Sequence, residues 1–126
     1  MGETNAKKKG NRGELELLHL LEARGLRAVR NDQRFVGGKE NPDISLPGIH
    51  LEVKRVEALR LSEALNQAEA DAAPGDMPVV AHRRNRGKWV TIMRMEDFLR
   101  LVQDYVDTRD RELNADYERI RATEGK

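Results

Sequence analysis

Two runs of alternating apolar and polar residues, 43–46 (DISL) and 49–54 (IHLEVK), flank Pro47-Gly48 and predict a β-hairpin with a two-residue loop. In that register Leu46 faces Ile49, Ser45 faces His50, Ile44 faces Leu51 and Asp43 faces Glu52. Period-two alternation sets Asp43, Ser45, His50, Glu52 and Lys54 on one face, and Ile44, Leu46, Ile49, Leu51 and Val53 on the other. A Pro-Gly pair favours turns that splay the strands, and a longer loop would shift the register by one and exchange the faces. The uniformly apolar second face argues for the two-residue loop.

Elsewhere the periodicity changes. Residues 13–25 (GELELLHLLEARG) place Leu17, Leu18 and Leu21 on one stripe flanked by Leu20, which predicts a helix ended by Gly25. Glu14 falls inside that stripe, whereas Glu16 and His19 point away from it. Residues 26–30 predict a short strand and 31–41 a glycine-containing loop. Residues 61–72 predict a second helix, stopped by Pro74-Gly75. Two strands follow at 77–81 and 88–93. Met95, Phe98, Leu99, Val102 and Val106 then recur at helical spacing, which predicts a core-packing helix over 95–106. The expected fold is α/β in a single domain, ordered α-β-β-β-α-β-β-α, with a mixed central sheet flanked by helices.

The hairpin face carries the chemistry. Directly opposed residues have Cβ atoms about 5 Å apart, so Asp43 and Glu52 repel unless a cation lies between them. Carboxylate oxygens suit Mg²⁺ or Mn²⁺, and Lys54 adds a positive group beside that cation, a combination suited to phosphodiester hydrolysis. The plainer alternative is a solvated sheet face with a cross-strand Glu–Lys decoration. Glu14, an acid on the core side of a helix, is costly there unless paired or metal-bound. It could instead simply favour the first turn of its helix.

Four stretches in order, Lys9-Gly10 through Glu14 to Leu21, Gly25 to Arg30, Pro42-Asp43-Ile44 and Leu51-Glu52-Val53-Lys54, resemble the PD-(D/E)XK nuclease superfamily. Within it the chain is similar to archaeal-type Holliday junction resolvases, which phages also encode. The likeness covers roughly the first half; the second half matches in its pattern of elements. The resemblance implies a restriction-endonuclease-like fold and a Mg²⁺-dependent endonuclease, with Mn²⁺ able to substitute, acting in DNA recombination or repair. It implies Asp43 and Glu52 as principal metal ligands, with Glu14 completing the acidic site directly or through water. The Val53 carbonyl would be a further ligand, and Lys54 would orient the attacking water. It also implies a homodimer that cuts opposed strands of a four-way junction, leaving 5′-phosphate and 3′-hydroxyl ends. Residues 30–39 carry no serine where such resolvases often have one.

Composition narrows the remaining choices. The 126 residues are 38% hydrophobic and 36% charged, so the core is modest and dimerisation would supplement it. Without cysteine there are no disulfides or thiolate metal sites. No apolar stretch approaches a membrane span, and a cytoplasmic setting in a bacterial, archaeal or phage-infected cell is expected. Net charge is +1, yet Lys7, Lys8, Lys9 and Arg12 form a basic amino-terminal arm over residues 1–12, expected to be flexible. Arg83, Arg84 and Arg86 form a second basic cluster, with Arg30, Arg34 and Lys39 as further phosphate contacts. The arm could equally be a solubilising tail, and the second cluster a plain hairpin turn. The nuclease domain is then 13–106, followed by a charged helical extension over 107–126. Gln67 and His50 are weaker candidates for the site, and His19, His50 and His82 show no metal-ligand spacing. Two rivals stay open: a nuclease of the same fold acting on flaps, single strands or duplex, and a non-catalytic nucleic-acid-binding module.

Overall fold

The structure, a computed structural model, describes residues 5–30 and 43–124, with side chains from residue 12 onward. Its elements are α1 (Asn5–Ala23), β1 (Val29–Arg30), β2 (Asp43–Leu46), β3 (Ile49–Lys54), α2 (Leu61–Asp71), β4 (Met77–His82), β5 (Val90–Ile92) and α3 (Met95–Glu124). The five strands form one mixed sheet in the order β1-β2-β3-β4-β5. The class is therefore α/β, with the expected element order.

The hairpin adopts the expected register, Asp43↔Glu52, Ile44↔Leu51, Ser45↔His50 and Leu46↔Ile49. Gly48 sits at φ 77, the left-handed backbone that the third residue of a type II turn requires, after proline in the second. Its carbonyl also accepts the Met77 amide at 2.8 Å, which pins the start of β4 to the turn. β3 and β4 run parallel, Glu52 opposite Val80 and Lys54 opposite His82, with α2 as the crossover.

Alternation along β3 divides the core in two. Leu17 of α1 packs with Ile44, Leu51, Val53, Met77, Val79 and Ala81 on one side of the sheet. Ala64, Leu65 and Ala68 of α2 pack with Val80 on the other. Because Val80 shares its side with Glu52, α2 covers the polar face of the hairpin. The solvated-face alternative fails for this reason: His50 and Glu52 are buried.

Some boundaries depart from expectation. α1 starts at Asn5, so residues 5–12 continue the helix instead of preceding it. It ends as expected, with Gly25 at φ 77 and the Leu26 amide bonded to the Leu21 carbonyl. The strand expected over 26–30 is reduced to two residues, and the one expected over 88–93 to three. The helix expected over 95–106 runs unbroken to Glu124, and none of its residues is buried. By compactness the chain divides into residues 1–93, which hold the sheet with α1 and α2, and residues 94–126, which hold α3. No helix among the described residues is long and apolar enough to cross a membrane.

Candidate metal centre

β2 and β3 bring Asp43, His50 and Glu52 together, and the last residue of α2 adds Asp71. One ligating atom from each of these four lies within 4.8 Å of the other three. Asp43, His50 and Glu52 are buried and Asp71 is exposed, so the cluster reaches solvent at Asp71. His50 Nε2 lies 3.2 Å from Glu52 Oε2 and 3.9 Å from Asp43 Oδ2. Asp43 Oδ1 and Glu52 Oε1 are fully buried and have no hydrogen-bond partner among the described residues. Buried polar atoms ordinarily find partners. Two carboxylates that each keep one orphaned buried oxygen, clustered with a histidine nitrogen and a third carboxylate, fit a bound divalent cation.

The electrostatics agree. Burial pushes the Glu52 carboxyl above its ordinary value, and Asp71 adds to the effect, while His50 and Lys54 oppose it. His50 is raised chiefly by its hydrogen bond to Glu52, with Asp43 contributing, against the lowering effect of burial. The metal-free cluster therefore holds its negative charge at a cost, and a proton on His50 offsets part of it.

No family model, curated protein or solved structure matches the chain.

The remaining expected site residues are distributed around this cluster. Lys54 is half-buried, and its Nζ donates to Gln67 Oε1 at 3.3 Å. Gln67 thus reaches the site edge, beside an open cleft lined by Lys54, Leu59, Arg60 and Glu63. Glu14 is buried but bound to Arg30, which forms an ion pair with it, and it is not one of the four clustered groups. Its pKa is raised mainly by burial; Arg30 pulls it down and Asp43 pushes it up, which marks Asp43 as a neighbour. The Val53 side chain is in the core, and its residue pairs with Ala81.

Among the expected phosphate contacts, Arg12, Arg84 and Arg86 are exposed. Arg30 is engaged by Glu14, and Arg83 by Glu16 and the Gly87 carbonyl, so both hold the fold together. Glu16 also accepts from Trp89 Nε1 at 2.9 Å, which ties α1 to the residue before β5. Lys7, Lys8, Lys9, Arg34 and Lys39 lie outside the described side chains.

Asp71 was not singled out by the sequence. It lies four residues after Gln67 and seven after Ala64, hence on the same helical face, and that spacing is the signal that could have found it.

Proposed function

We propose that the chain is a divalent-metal-dependent DNA endonuclease of the PD-(D/E)XK type, acting as a homodimeric Holliday junction resolvase. The observation that carries this reading is the Asp43–Glu52 cross-strand pair, each carboxylate keeping one buried oxygen without a partner. A bound Mg²⁺ or Mn²⁺ would supply an activated water and stabilise charge on the scissile phosphate. Asp43 and Glu52 would hold that ion, and both are buried away from bulk water. Lys54, steadied by Gln67, presents its ammonium group at the rim, where it orients the nucleophile and offsets charge developing on phosphate oxygens. Glu14 stays with Arg30 and acts on the site through Asp43. Exposed Arg84 and Arg86 lie in the β4–β5 connection and suit contacts with the DNA backbone.

The homodimer finds support in α3. Leu99, Val106, Leu113 and Ile120 recur at intervals of seven along it, and all four are exposed. Such a row of exposed apolar side chains seeks cover, and the same row on a second copy of the chain would supply it.

The test is cleavage of an end-labelled immobile four-way junction in Mg²⁺, with excess linear duplex as competitor. Paired symmetric nicks that survive the competitor, and vanish in Asp43→Ala while junction binding persists, are the expected result. Undiminished turnover in Asp43→Ala would remove the mechanism. The absence of serine from residues 30–39 favours one second reading, a nuclease of this type for flaps, single strands or duplex. Nicks suppressed by the duplex would select it.

A further inference from the structure

The cluster differs from an all-oxygen cage in one respect, and that difference has chemical consequences. His50 occupies the middle of it. Its Nε2 is closer to Glu52 Oε2 (3.2 Å) than to Asp43 Oδ2 (3.9 Å), and it belongs to the same 4.8 Å constellation as Asp71. It stands on β3 between Ser45 of β2 and Pro78 of β4 in the sheet register, and it is buried, 4% exposed.

We infer that His50 and Asp71 are metal ligands alongside Asp43 and Glu52, and that this imidazole makes the centre selective for Mn²⁺ over Mg²⁺. The inference rests on the reading of this cluster as a metal centre. Mg²⁺ demands oxygen ligands and gives up its own water reluctantly, so a fixed nitrogen donor is a poor exchange for it. Mn²⁺ accepts carboxylate oxygen and imidazole nitrogen together and stands within the first-row series whose affinity benefits from nitrogen. The two orphaned oxygens, Asp43 Oδ1 and Glu52 Oε1, supply the independent sign that something other than a proton fills the centre. Asp71, being exposed, puts its carboxylate at the solvent edge of the site, where an ion would stay accessible to substrate.

The full-length chain can be tested without any DNA. Calorimetric titration with MnCl₂ and with MgCl₂ gives the two affinities, and pulsed electron paramagnetic resonance of the Mn²⁺-loaded protein reads directly bound nitrogen. The expected result is Mn²⁺ binding at least tenfold tighter than Mg²⁺, roughly the factor that loss of a supporting contact costs a metal site. A ¹⁴N modulation from a coordinated imidazole accompanies it. His50→Asn should abolish that modulation and bring the two affinities together chiefly by weakening Mn²⁺, whereas His19→Asn should change neither. Asp71→Asn should weaken both ions and keep the nitrogen signal. Mn²⁺ bound with no ¹⁴N modulation in the unaltered protein overturns the inference and leaves the metal-dependent nuclease standing. No binding of either ion overturns both readings, and a nitrogen-bound Mn²⁺ without any nuclease activity overturns the proposed function alone.

Discussion

Glu52→Gln should make the metal-free protein more stable. Glu52 is fully buried, and although His50 and Lys54 attract its charge, burial outweighs them, since the carboxyl is displaced upward from its ordinary value. One oxygen is bonded to His50 and the other has no partner. An unmatched buried polar atom costs about 1–3 kcal/mol. Glutamine keeps the volume, still offers an oxygen to His50 Nε2, and removes the buried charge. The gain of that amount corresponds to ~4–12 °C in Tm for a chain of this size. The assay is thermal unfolding by circular dichroism in a chelating buffer, repeated at saturating Mn²⁺. With the ion at a hundredfold excess over its Kd, the unaltered protein gains about 2.7 kcal/mol that the variant forgoes, so the order of stabilities reverses. A variant less stable than the parent in chelator would refute the reasoning, because Glu52 would then be a structural anion instead of a ligand held in waiting.

Three further outcomes are expected. His50 has a raised pKa, so it contributes stability that is complete below about pH 6.5 and is lost as pH rises through its folded-state value; the Tm of the metal-free protein should fall as pH rises from there, and His50→Asn should flatten the slope, a result checked by scanning calorimetry. Gly13→Ala would put a methyl carbon 2.6 Å from Arg55 Cβ, so the ~1 kcal/mol helix gain should be exceeded by a strain of about 1–3 kcal/mol, and urea unfolding should show a net loss. Leu113→Lys should leave monomer stability within about 0.5 kcal/mol while shifting the chain from dimer to monomer in sedimentation equilibrium; a dimer unchanged by it would place the interface elsewhere.

The hairpin was legible from alternation over ten residues, whose uniformly apolar second face outweighed the Pro-Gly preference for splayed turns; the turn itself is met by Gly48 at positive φ. That alternation sets Asp43 opposite Glu52. The length of α2 was legible for a similar reason, with proline and glycine ending a clear helical period. Sequence spacing could not show that α2 lies over the polar face, because that follows from the parallel pairing of β3 with β4. Burial of His50 and Glu52, the arrival of Asp71, and the Lys54–Gln67 bond all descend from that one tertiary contact. The cover of α3 was not legible for a different reason: an apolar stripe reports that a helix face seeks cover and does not name the cover.

β3 carries core and chemistry on alternate residues, Leu51 and Val53 inward to α1, His50, Glu52 and Lys54 toward α2. This parity constrains how the gene can change. Loss or gain of a single codon between 49 and 54 would send leucine and valine to the polar cluster and glutamate to the core, disrupting both at once. Paired codon changes conserve parity, and substitutions at the polar positions spare the apolar side. The strand therefore tolerates changes at its polar positions far better than any shift in its reading, and a mutational survey of this hairpin should separate the two kinds of lesion cleanly.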